Sequence, residues 1–124
     1  MNNNNNDETS NSILISIKKL LGLTEDDTSF DVDIIIHINT VFAGLNQLGV
    51  GPKDIYQITG KDDLWSDFDT DGNKMLNAVR SYMYLKVRML FDPPTNGAVR
   101  EAFEKNISEY EWRLYMNAET VDKE

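Results

Sequence analysis

The sequence predicts a mainly α protein, a small bundle of about four helices with a loop or short β-hairpin between helices 2 and 3. Three observations carry this. Apolar residues recur every three or four positions through four separate stretches, and clusters of Gly, Pro and Asn divide those stretches. The chain has 124 residues, 40% of them hydrophobic, enough for one core and too few for two. The expected organisation is a disordered Asn-rich leader over 1–12, a helical domain over 13–118 and a flexible tail over 119–124.

The first helix begins at Ser12, a residue suited to an N-cap, and carries Ile13, Leu14, Ile17, Leu20 and Leu21 along one side until Gly22 stops it. After an acidic, hydroxyl-rich linker over 24–29, Ser29 or Asp31 can cap the second helix. There Ile34, Ile38, Val41, Phe42, Leu45 and Leu48 keep helical spacing until Gly49, Gly51 and Pro52. The β-branched run Ile34-Ile35-Ile36 could seed a strand, but the longer pattern outlasts an ordinary strand and favours helix.

Periodicity fails over 53–73, where Tyr56, Ile58, a Gly60-Lys61 turn, Leu64, Trp65 and Phe68 predict a segment pinned down by its large side chains. Asn73 can cap the third helix. Leu76, Val79, Met83, Val87 and Leu90, with Tyr84, Leu85 and Met89, surround most of its circumference, the signature of a central element touched from several sides. Phe91-Asp92-Pro93-Pro94 breaks it, because two prolines remove two donors. Thr95 or Asn96 restarts the chain as a fourth helix with a core stripe of Val99, Phe103, Ile107, Tyr110 and Leu114. Trp112 falls about 180° from that stripe at 100° per residue, with Tyr115 and Met116 beside it. Either another element of the fold covers this back face or a partner does.

Composition narrows the chemistry. Zero cysteines exclude disulfides, thiolate metal sites and cysteine nucleophiles. No apolar run reaches the roughly 20 residues of a membrane-spanning helix, and a net charge of −9 argues against generic duplex binding. The charge is segregated: residues 61–72 hold Asp62, Asp63, Asp67, Asp69 and Asp71, whereas 73–91 hold Lys74, Arg80, Lys86 and Arg88 without an acid. Asp67 to Gly72 opens like a calcium-binding EF-hand loop, but the twelfth position is Ala78 where a bidentate Glu belongs, so no metal site is expected. His37 is the single histidine and has no nucleophile motif around it; no phosphate-binding glycine pattern occurs. The expectation is a protein without catalytic residues or cofactor.

Two stretches resemble a known family. Ser29-Phe30-Asp31-Val32-Asp33-Ile34-Ile35-Ile36-His37-Ile38-Asn39, leading to Leu45-Asn46-Gln47-Leu48-Gly49-Val50-Gly51-Pro52, is similar to the second helix and its exit in the head-tail connector (adaptor, head-completion) proteins of tailed bacteriophages. Ser81 to Pro94, with Glu111-Trp112-Arg113-Leu114, resembles the second half of that family, and Trp65-Ser66-Asp67-Phe68 resembles its W-x-D-F loop.

The resemblance implies a structural subunit that assembles, about a dozen copies at a time, into a ring beneath the portal protein. It further implies a virion location at the head-tail junction, with host cytoplasm as the site of assembly. The next head-tail joining or tail protein would be a further partner, and DNA would only pass through the channel. Trp65, Phe68, Arg80, Arg88, Trp112, Tyr115 and Met116 are the expected subunit or partner contacts, with the acidic segment of one copy meeting the basic helix of the next. A different class, a monomeric acidic DNA mimic that inhibits a nucleic-acid-binding protein, would instead spread carboxylates over one face.

Overall fold

The computed structural model describes residues 11–69 and 75–122. Four long helices, α1 (Ile13–Leu20), α2 (Asp31–Gln47), α4 (Leu76–Phe91) and α5 (Gly97–Asp122), are joined by a loop that contains a single helical turn, α3 (Trp65–Phe68). The described residues hold no strand and no hairpin, only one isolated antiparallel bridge between Ser12 and Leu64. The bundle is layered, with α4 packed on α2 from one side and on α5 from another, and α1 closing over α2 and α4.

Helix α1 starts where the sequence places it. The Ser12 hydroxyl accepts from the Ile15 amide and donates to the Lys61 carbonyl at 2.7 Å, so one side chain both caps the helix and ties down the loop 49 residues away. Ile13, Leu14 and Ile17 are buried, but Leu20 is exposed. Lys18 is buried instead, an arrangement tolerated because its ammonium lies 2.9 Å from an Asp31 carboxylate oxygen and donates to the Glu25 carbonyl. That pairing takes Asp31 away from capping. Phe30 occupies the N-cap of α2 with no side-chain bond, so the expected Ser29 or Asp31 cap is not formed.

Ile34, Ile38, Val41, Phe42 and Leu45 of α2 are buried, and the isoleucine run is helical throughout. Each such side chain gains about 1.5–3 kcal/mol on leaving water, which outweighs the few tenths of a kcal/mol of helix propensity that β-branching costs. The loop after α2 is fixed both by long-range bonds and by its own carboxylates. Asn39 accepts from the Ile58 amide at 2.8 Å and donates to the Ile58 carbonyl at 3.0 Å, replacing a sheet partner by one side chain. The Asp63 carboxylate collects the Thr59 and Gly60 amides, and Asp67 accepts from the Leu64 amide at the start of α3.

Trp65 and Phe68 then insert beneath the loop with Phe42 and Tyr56, ring centroids 5.0–6.4 Å apart. The buried indole N–H donates to the Ser16 hydroxyl at 3.0 Å. Gly51 has φ +93°, and a Cβ there would run into the Phe68 ring, so glycine is required both for the backbone and for the close approach.

Helix α4 buries Val79, Tyr82, Met83 and Val87 and is central, as its pattern predicts. Its proposed cap Asn73, like Thr70 to Lys74 and the first ten residues of the leader, lies outside the described residues. The diproline exit leads into α5, where the Asn96 side chain accepts from the amides of Ala98 and Val99 and so caps the last helix. Helix α5 runs past residue 118, the boundary the sequence sets for a tail, to Asp122.

Candidate assembly surface

Helix α5 packs on α4 along one stripe and leaves most of its surface exposed. Its 26 residues span about 39 Å at 1.5 Å each, yet Leu114 is the one fully buried side chain among those described. Phe103, Ile107 and Tyr110 of the core stripe are half-buried, and Val99 is exposed because the helix start projects past the end of the packed layer. Two polar links hold the helix to α4. The Tyr82 hydroxyl donates to a Glu111 carboxylate oxygen at 2.8 Å. Arg88 lies over the Phe103 ring at 5.9 Å while pairing with Asp92.

Burial, together with the Glu111 carboxylate on its hydroxyl, pushes the Tyr82 phenol well above the ordinary tyrosine range. Tyr56, desolvated in the loop and facing the negative charges of Asp63 and Asp67, is pushed up to about 12. Both phenols therefore stay protonated donors through the neutral range.

The back of α5 carries the aromatic face that the helical arithmetic predicts. Trp112 is 62% exposed, Tyr115 42% and Met116 41%, and no other described element covers them. The Tyr115 hydroxyl donates to Glu119 at 3.1 Å, which holds that ring along the surface. A second exposed apolar pair, Val32 and Ile36, sits at i and i+4 on one face of α2, but the α5 set puts the larger Trp and Tyr rings on one helix face.

The other expected contact residues lie differently. Trp65 is 1% exposed and Phe68 4%, so their apolar area is used within the subunit's own core and offers no surface. Arg80 places its guanidinium 5.5 Å over the Trp65 ring. With Arg88 on Phe103, both arginines of the basic helix face groups of their own chain. The structure therefore brings Trp65, Phe68 and Arg80 together inside one subunit, and Trp112, Tyr115 and Met116 together on its outside.

A feature that the sequence reading did not find is an open groove of about 700 Å³ between α4 and α5, closed at one end by α1. Leu20, Tyr84, Leu85 and Tyr110 supply its apolar lining, and Arg80 and Arg113 its positive charge. The signal was present in part. Tyr84 and Leu85 extend the apolar residues of α4 beyond its core stripe and line the groove together with the polar Asn77, Arg80 and Ser81.

Among the described residues no group of three or more Asp, Glu or His side chains is placed to hold a metal ion, and no helix is long and apolar enough to cross a membrane. What these surfaces can do is bind: a flat aromatic face and a cationic, aromatic-lined groove are both suited to protein contact. A family model described as phage connector protein matches residues 13–121 of the chain. No curated protein and no solved structure matches it.

Proposed function

Because the chain belongs to the phage connector protein family, we propose that it works as one subunit of a ring of about a dozen copies beneath the portal, continuing the DNA channel and joining capsid to tail. Membership makes it a structural virion component that associates with other phage head or tail proteins. The finer reading assigns it three partners: further copies of itself, the portal protein, and the next head-tail joining or tail protein.

The observation that carries the ring reading is the division of labour between the helices. A body of α1, α2 and α4 buries its own core, while α5 extends beside it with Trp112, Tyr115 and Met116 uncovered. An exposed aromatic surface on a helix already held at its opposite side is the arrangement of an assembly part, whose remaining apolar area is covered by neighbours. Among the expected contact residues, Trp112, Tyr115 and Met116 keep that role in this proposal, and Trp65 and Phe68 support it from inside by fixing the loop.

Electron microscopy of the purified protein with and without its cognate portal tests the reading. A ring, or a collar on the portal, is expected; a protein that joins neither portal nor virion would contradict it.

A further inference from the structure

The back face of α5 and the α4–α5 groove are complementary in shape class and in charge. At 100° per residue, Glu119 and Lys105 share the Trp112 side of α5, and Glu101 lies on the same line about 16 Å toward the helix start. The groove presents Arg80 and Arg113 against Glu109, with Tyr84 and Tyr110 as ring surfaces. In a chain of net charge −9, most self-contacts would press like charges together. This pair of surfaces sets an acidic face against a cationic one.

We propose, resting on the ring reading above, that the groove receives the Trp112 face of α5 from a second copy. The indole would enter beside Arg80 and Arg113, whose guanidinium groups already lie over the Trp65 and Tyr110 rings of their own chain. There it would bury its apolar surface against Tyr84, Leu85 and Tyr110, while the two arginines supply the positive charge that faces the acidic side of α5. The groove, at about 700 Å³, has room for Trp112 together with a flanking Tyr115 or Met116.

Geometry makes this contact directional. At 100° per residue, the groove-lining residues of α5, centred on Tyr110 and Arg113, lie roughly 120° around the helix from the Trp112, Tyr115 and Met116 face. Each subunit thus offers one face and one groove at different angles. A contact that runs head-to-tail propagates from copy to copy, as a closed ring requires, whereas a reciprocal exchange of face and groove would stop at a two-fold dimer and give no ladder on cross-linking.

The chain lacks cysteine, which permits a clean test. Ser108 lies on the Trp112 face and Ser81 lines the groove. The S81C/S108C double variant, treated with a short bis-maleimide both as concentrated full-length protein and within virions, is expected to give a ladder of covalent multimers of this chain. Either single variant alone is expected to give no ladder, and an equal mixture of the two to stop at dimers. Trp112→Ala is expected to weaken self-association by at least about 30-fold, the loss typical of an interface hot spot, with its melting curve unchanged as the folding control.

Virions that contain rings but yield no ladder, or in which Ser108→Cys links only to a different protein, would overturn this contact and leave the ring reading intact. Efficient dimers from S108C alone would also overturn it, by showing a two-fold contact. Virions without any multimer of this chain would overturn both.

Discussion

The chain has two tryptophans, and they sit in regions built to opposite ends. Trp65, 1% exposed, belongs to the body formed by α1, α2, α4 and the loop around α3. Its ring meets Phe42, Phe68 and Arg80, and its N–H is satisfied by Ser16. Trp112, 62% exposed, belongs to α5, which touches the body along one stripe and carries mostly charged and polar residues elsewhere. The body supplies most of the buried core; α5 adds Leu114 to it and leaves an aromatic part of its length uncovered. A residue type alone does not reveal which role it plays. Its partners on the remaining elements decide.

The largest expected effect is on the body side. Trp65→Ala leaves a cavity under the loop and removes the indole donor from the Ser16 hydroxyl, which keeps its own bond to the Ile13 carbonyl, and is expected to cost about 3–5 kcal/mol, read as a lowered urea midpoint. A loss below about 1 kcal/mol would mean that the loop is not part of the core. Asn39→Ala comes next. It strips both backbone partners from Ile58, and each buried group left unpaired costs about 1–3 kcal/mol. Hydrogen exchange at the Ile58 amide should accelerate together with the fall in stability.

These two predictions mark where the sequence was readable and where it was not. The four long helices follow directly from apolar spacing, and the Asn96 cap and the α5 back face from local rules. The loop does not, because beside the local bonds of Asp63 and Asp67 its position is set by partners at a distance. Asn39 reaches 19 residues along the chain and Ser12 reaches 49, to partners with which neither shares any periodic pattern. Trp65 and Phe68 read both as side chains that pin their own loop and as partner contacts, and spacing alone does not separate the two roles. They fall in a stretch without periodicity, and only the tertiary arrangement shows that Phe42 and Ser16 are waiting for them. Lys18 and Leu20 exchange their expected environments because Asp31, from the next helix, reaches the lysine.

The seam between the two regions offers a smaller effect. Tyr82→Phe removes the hydroxyl link to Glu111 and is expected to cost about 1 kcal/mol. The same tyrosines predict a pH dependence. The folded state holds the Tyr82 and Tyr56 protons more tightly than the unfolded chain, whose phenols titrate near 10. Their contribution is complete below pH ~10 and is lost as pH rises from there through the folded value, about 12 for Tyr56. Urea midpoints should therefore decline between pH 10 and 12, and less steeply in Tyr56→Phe. An equal decline in that variant would assign the loss to other groups.

The smallest effect belongs to the outer surface. Trp112→Ala is expected to change subunit stability by no more than about 0.5 kcal/mol, because the ring has little to lose in the isolated fold. A drop of 2 kcal/mol or more would place Trp112 in the core and erase the distinction between the two regions.

In the proposed ring, neighbouring chains complete the exposed face of α5. Hydrogen exchange of the free subunit compared with the same chain in the virion measures this directly. Protection is expected to rise around Trp112 on α5 and along the α4 side of the groove, with the Val41 to Leu45 segment of α2 unchanged. Identical exchange of α5 in both states would contradict it.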